Sequence, residues 1–232
     1  MTDKLRGDNL NCNPAADVAD ESMPLRRPEA LVGALPIGIL VSGRGSNMRA
    51  ILEEIENGRL AAEAKLVLSD QPAAPALEIA AKKGVETLAL AKKDFGDKDS
   101  FESRMAAELK ARGVKLVILA GFMRLLSKTF IREFPENIIN VHPSLLPAFP
   151  GLQAQKQALE YGVKIAGCTV HFVNEIMDGG RIIFQACVPV LPDDTEESLS
   201  ARILKEEHRL LPKAVAWFSE TCHQENKRLS GS

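Results

Sequence analysis

Pro36-Ile37-Gly38-Ile39-Leu40-Val41-Ser42-Gly43-Arg44-Gly45-Ser46-Asn47 is an apolar run closed by a glycine-rich turn, after which Met48, Ile51, Leu52 and Ile55 recur at helical spacing. It reads as strand, turn and helix. Glycines permit positive φ and close approach. The open backbone N–H groups at the helix start, with the Ser46 and Asn47 side chains, make a natural anion site. The turn lacks the full dinucleotide fingerprint and the lysine of a Walker loop, so simple N-capping by Ser46 or Asn47 stands as the alternative.

Working outward, Ala64 to Ser69 reads as a strand, Ala73 to Lys83 as a helix stopped by Gly84, and Val85 to Leu90 as a strand. Lys98 to Arg112 has Phe101, Met105 and Leu109 at helical spacing, and Val114 to Ala120 is an aliphatic run bounded by Gly121. Strands alternating with helices predict an α/β, Rossmann-like three-layer fold with a mixed, mostly parallel central sheet flanked by helices. Such sheets bind ligands beyond the carboxyl ends of their strands. Here those ends are the Ser42 turn, the Gly121-Phe122-Met123-Arg124 loop and the loop after Asn140.

In Ile138-Ile139-Asn140-Val141-His142-Pro143 a carboxamide interrupts the aliphatics of a strand end. Side chains alternate along a strand, so Asn140 and His142 face one side and can share a pocket. Pro143, Pro147 and Pro150 make the following segment a stiff loop. The alternative is an Asn that caps a turn and a His that is merely packed. Gln153 to Tyr161 reads as a helix. Gly167 to Val173 and Arg181 to Ala186 read as antiparallel strands, because Asn174 to Gly180 is too short for a crossover. Asp178-Gly179-Gly180 lies in that connection, where it would by itself be only a turn. A helix from Thr195 to Phe218, capped by Asp194 with Glu197 and interrupted near Pro212, carries Glu207 and His208 in its middle.

With 232 residues, 45% hydrophobic and 26% charged, the chain suits one large globular domain. The division expected is a disordered extension over 1–34, one domain over 35–220 and a polar tail over 221–232; Met23 is a candidate start. A net charge of -2 gives no basic field for a nucleic-acid partner. Cys12, Cys168, Cys187 and Cys222 are too dispersed for a disulfide framework or a metal cluster. No run reaches the roughly 18 to 20 apolar residues of a membrane span, and the N-terminus lacks a signal-peptide pattern. A cytoplasmic location is expected, with no metal, no membrane and a monomer or homodimer.

Five ordered blocks resemble the phosphoribosylglycinamide formyltransferases: Ser42 to Asn47, Leu119 to Ser127, Asn140 to Pro147, His171 to Gly180, and Glu207-His208. The resemblance runs from Pro36 to Phe218. It implies formyl transfer from 10-formyltetrahydrofolate to the amine of glycinamide ribonucleotide, with Asn140, His142 and Asp178 catalytic. It further implies that Gly45, Ser46 and Asn47 hold the phosphate, that Glu207 reaches the ribose and that the Pro143 carbonyl orients the amine. On the folate side it implies Met123, Arg124, Leu125 and Leu126 at the pterin, Phe122 and Val173 walling a slot, and Lys98 near the folate carboxylates. Lys98 stands where the family often has Arg, and Gln153 and Gln155 where many members have histidines. The alternatives are a formyltetrahydrofolate hydrolase, which needs no phosphate loop, and a non-catalytic folate or nucleotide binder of the same fold. A methionyl-tRNA formyltransferase would need a basic surface.

Overall fold

A computed structural model describes the backbone of residues 33–230 and the side chains of 33–221, so the extension expected over 1–34 lies outside it except for Gly33 and Ala34. β1 (Leu35–Val41), α1 (Ser46–Glu56), β2 (Ala62–Ser69), α2 (Pro75–Lys82), β3 (Thr87–Ala89), α3 (Lys98–Ala111) and β4 (Leu116–Leu119) alternate along the chain. Then come α4 (Lys128–Glu133), β5 (Ile138–His142), α5 (Ala154–Tyr161), β6 (Ile165–Phe172), β7 (Ile182–Pro189) and α6 (Glu196–Ser230). The strands form one seven-stranded sheet in the order β3-β2-β1-β4-β5-β6-β7. β1 to β5 are mutually parallel, whereas β6 runs antiparallel to both β5 and β7.

A strand that is aliphatic on both faces must be covered on both sides. Ile37, Ile39 and Val41 of β1 pack with Met48 and Ile51 of α1 and Leu210 and Leu211 of α6. Leu40 faces the other way, into a cluster with Phe101 and Met105 of α3 and Phe130 of α4. These clusters make the three layers. The strand order reverses between β1 and β4, and at that switch point the Ser42 and Gly121 turns lie side by side, Ser42 N–H donating to the Gly121 carbonyl at 3.0 Å.

Three expectations about helices need correction. α6 runs unbroken through Pro212, since Leu210, Leu211, Ala214 and Val215 are all fully buried and their packing offsets the lost backbone bond. Its backbone stays helical to Ser230, so the expected polar tail is helix over most of its length. The capping box is Thr195 with Ser198: each backbone N–H donates to the other's hydroxyl, at 3.0 and 3.2 Å. Asp194 instead takes Arg202 in a two-pronged ion pair at 2.7 and 2.8 Å. α4 is too short to show a period in the sequence; Ser127 Oγ caps it by accepting the Phe130 N–H at 3.2 Å.

Candidate active site

The Ser42–Asn47 turn places Gly45 at φ 71°, before the first turn of α1, with no side chain capping that helix end. A Cβ on Gly45 would lie 2.6 Å from the Ala76 Cβ, so α2 as well as the positive φ demands glycine there. The N-capping alternative therefore fails, and the first N–H groups of α1 stay open. Asn47 turns its side chain to α6, donating from Nδ2 to Glu207 Oε2 at 2.7 Å, while its buried Oδ1 has no protein partner. Burial pushes the Glu207 carboxyl above its ordinary range, and the Asn47 amide partly opposes that shift.

A cavity of about 870 Å³ opens over this turn. Its walls include Arg44, Gly45, Ser46 and Asn47, then Gly121 and Met123, then Val141 and Pro143, and Glu196, Glu197 and Glu207 of α6. All five residues expected at the nucleotide are thus brought together. Gln155, not counted among them, also lines it. A smaller cavity of about 230 Å³ between α3 and α4, lined by Glu102, Lys110, Phe130 and Glu133, contains none of the expected site residues.

Beside the cavity, β5 presents Asn140 and His142 on one face as the alternation requires. His142 is 5% exposed. Its Nε2 lies 2.9 Å from the Phe149 carbonyl and its Nδ1 3.5 Å from Asp178 Oδ2. Asp178 Oδ2 also accepts the Gly151 N–H at 2.8 Å, so the carboxylate ties the β6–β7 connection to the proline loop. Phe149, Gln153 and Asp178 adopt positive φ, at 53°, 58° and 50°, as does Glu136 at 57° before β5. The proline loop is braced from below by Thr169, whose hydroxyl donates to the Ser144 carbonyl at 2.7 Å and accepts the Leu146 N–H at 3.0 Å.

His171 was not among the expected site residues, yet it completes the cluster. It pairs across the antiparallel ladder with Asn140, and its Nε2 lies 3.2 Å from Asn140 Nδ2 and 3.7 Å from Asp178 Oδ1. Its Nδ1 faces the Phe172 carbonyl at 2.9 Å, which sets Nδ1–H as the donor and leaves Nε2 to accept from Asn140. Burial is the main cause that lowers its affinity for a second proton, in keeping with this neutral tautomer. The signal in the sequence was the β5–β6 register, which places 140 opposite 171.

The residues expected on the folate side separate. Met123 and Leu125 are exposed, at 68% and 64%, and Met123 reaches the cavity wall. Phe122 is buried in the core, with Leu126 and Val173 packed against the same cluster. Arg124 leans over the Phe101 ring, 5.6 Å from its centre, and lies 3.7 Å from Asp70. Lys98 does not line the cavity; it faces the buried Glu102 at 3.6 Å. Among the described residues no three His, Cys, Asp or Glu side chains gather as a metal site, and no helix is long and apolar enough to cross a membrane. Cys168 and Cys187, the cysteines whose side chains are described, form no disulfide.

The family model for formyl transferase matches residues 36–215, from β1 into α6. The chain belongs to the formyl transferase family. The chain is 46% identical over 182 residues, 78% of its length, to the trifunctional purine biosynthetic protein adenosine-3 of Drosophila melanogaster. It spans only 14% of that relative, and 13% and 18% of two further trifunctional relatives. It is 37% identical over 184 residues to the phosphoribosylglycinamide formyltransferase of Escherichia coli, covering 79% of this chain and 87% of that one. Its fold matches the crystal structure of glycinamide ribonucleotide transformylase 1 from Symbiobacterium toebii with a TM-score of 0.80 and 49% identity, over 81% of this chain and 89% of the other.

Proposed function

We propose that this formyl transferase moves the formyl group of 10-formyltetrahydrofolate to the primary amine of glycinamide ribonucleotide, a step of purine biosynthesis. One observation carries the reading: Val141 and Pro143, the chain neighbours of Asn140 and His142, line the cavity over the open N-terminus of α1, and His142 lies 3.5 Å from Asp178. The names of its relatives support the same reaction.

The amine nitrogen bonds to the formyl carbon, and the carbonyl electron pair moves onto oxygen. Asn140 and a protonated His142 are the donors for that oxyanion. His142 Nδ1 lies 3.5 Å from Asp178 Oδ2, and its Nε2 faces the Phe149 carbonyl at 2.9 Å, so the oxyanion takes the place of that carbonyl as the acceptor of the Nε2 proton. Collapse re-forms the carbonyl and breaks the bond to the folate nitrogen. That nitrogen gains a proton as the amine loses one, with Asp178 placed to relay it directly or through water. Gly45, Ser46 and Asn47 hold the phosphate, Glu207 the ribose hydroxyls and the Pro143 carbonyl the amine. Met123, Arg124, Leu125 and Leu126 border the pterin, Phe122 and Val173 support that border from the core side, and Lys98 attracts the folate carboxylates.

Incubating the protein with 10-formyltetrahydrofolate and either glycinamide ribonucleotide or water alone tests this. The expected result is tetrahydrofolate and formylated nucleotide in equal amounts. Formate release at the same rate without the nucleotide would make the protein a hydrolase instead, and binding without turnover would make it a carrier.

A further inference from the structure

Ser42 is the first residue after β1, and it grips the folate-side loop by backbone and side chain together. Besides the backbone bond to Gly121, its hydroxyl accepts the Met123 N–H at 2.9 Å and donates to Asp70 Oδ1 at 2.6 Å. Asp70, at the end of β2, is 5% exposed; its second oxygen accepts from Gln71 Nε2 at 3.2 Å and lies 3.7 Å from the Arg124 guanidinium. A hydroxyl carries one proton. With that proton committed to a buried carboxylate, the oxygen can only accept toward Met123, so Asp70 sets the direction in which Ser42 holds the loop. The loop is thereby fixed at Gly121, Met123 and Arg124. Ser42 also runs directly into Gly43–Asn47, the turn assigned to the phosphate, so one residue links that turn to the Met123 backbone.

We propose that Ser42 and Asp70 are positioning residues that tie the affinity for the formylated folate to occupancy of the nucleotide site. The proposal rests on the assignment of Met123–Leu126 to the folate. Neither side chain need touch the reacting atoms; their effect passes through the Met123 backbone and the Arg124 side chain.

Steady-state kinetics on Ser42→Ala, Asp70→Asn and Ser42→Thr, with binding titrations of each ligand in the absence and presence of the other, tests it. Losing a hydrogen bond to a group beside a charge weakens binding by about tenfold or more. The expected result is that order of rise in KM for 10-formyltetrahydrofolate in Ser42→Ala, with kcat lowered much less. Nucleotide affinity measured alone should fall much less than folate affinity, while the factor by which nucleotide improves folate binding falls toward one. Ser42→Thr, which keeps the hydroxyl, should restore both. An unchanged folate KM and unchanged coupling in folded Ser42→Ala overturn the proposal, as does an equal loss in kcat and both affinities. Where Ser42→Ala does not fold, unchanged coupling in Asp70→Asn overturns it. Leu125→Asp separates the two readings: if it too leaves folate affinity intact, the folate assignment fails; if it alone weakens folate binding, only the clamp fails.

Discussion

Glu207 is a carboxyl that the fold would rather keep neutral, and that cost has a testable sign. Burial raises its proton affinity above the ordinary value of 4.5. A raised carboxyl contributes stability that is full below about 4.5 and lost as pH rises through the folded value. Glu207→Gln keeps an acceptor for Asn47 Nδ2 and removes the loss. It should melt above the wild type near about pH 8, with the gap closing toward about pH 4.5, while nucleotide affinity drops because the charged acceptor is gone. Melting curves across that range check it; a gap independent of pH would refute the burial argument. His171 and His208 act in the opposite sense: burial lowers both, the unfolded chain takes protons the folded chain refuses, and stability is lost as pH falls below about 6.5. A second prediction concerns the cluster. His142→Ala should cost roughly two to four orders of magnitude in kcat, as removal of a general acid or oxyanion donor does. Asp178→Asn should cost less in that background than in the wild type, because its partner at 3.5 Å is absent. Full additivity in kcat of folded variants would show that Asp178 works apart from His142.

At the scale of the element, α6 joins stability to the site. Glu196, Glu197, Ser200, Ala201, Leu204 and Glu207, all in its first turns, form one wall of the cavity. The Thr195–Ser198 box holds that end, so Thr195→Ala should cost about 1 kcal/mol. For a domain of this size that is a fall in melting temperature of roughly 2 to 4 °C. It should also raise the nucleotide KM as the wall frays, while the folate KM holds; thermal melting and kinetics on one preparation decide, and an unchanged nucleotide KM would uncouple cap from site. The same helix shows where reading a sequence reaches and where it stops. The alternation of Ile37, Ile39 and Val41 against Leu40, and the spacing of Met48, Ile51 and Leu52, follow from local geometry and are legible. Whether Pro212 breaks a helix depends on how much apolar surface the flanking residues bury against distant strands, which local pattern does not contain. The cap moved by one residue: Asp194 takes the Arg202 guanidinium, two turns on, and the Ser198 hydroxyl, not a backbone N–H of the first turn. His171 joined Asn140 through strand register, a relation between segments that the sequence holds only once the antiparallel pairing is known.

At the scale of the molecule, the topology does the assembling. The strand order reverses at β1 and β4, so the Ser42 and Gly121 turns meet there, and β5 adds Asn140 and His142 next to them on the same edge. The open N–H groups of α1 therefore lie on the same edge of the sheet as the proposed reacting centre. Among the described residues Arg44 is the only Lys or Arg side chain on the cavity wall, set against Glu196, Glu197 and Glu207. On the proposed reading the phosphate of the acceptor lies at the Gly45 turn and Arg44, away from Glu196 and Glu197, with the ribose at Glu207 and the amine toward β5. Binding energy from a remote group can be used to position the reacting one, so losing the phosphate should lower kcat as well as affinity. Charge-assisted hydrogen bonds contribute roughly 1.5 to 3 kcal/mol each, so two of them correspond to about 10² to 10⁴ in kcat/KM. Glycinamide riboside, the acceptor without its phosphate, should fall by that factor, and added inorganic phosphate should recover part of the loss by filling the empty turn. Arg44→Ala should narrow the difference between riboside and ribonucleotide from the ribonucleotide side. Equal kcat/KM for the two acceptors in the wild type would remove the phosphate from the Gly45 turn and leave the open end of α1 without a ligand.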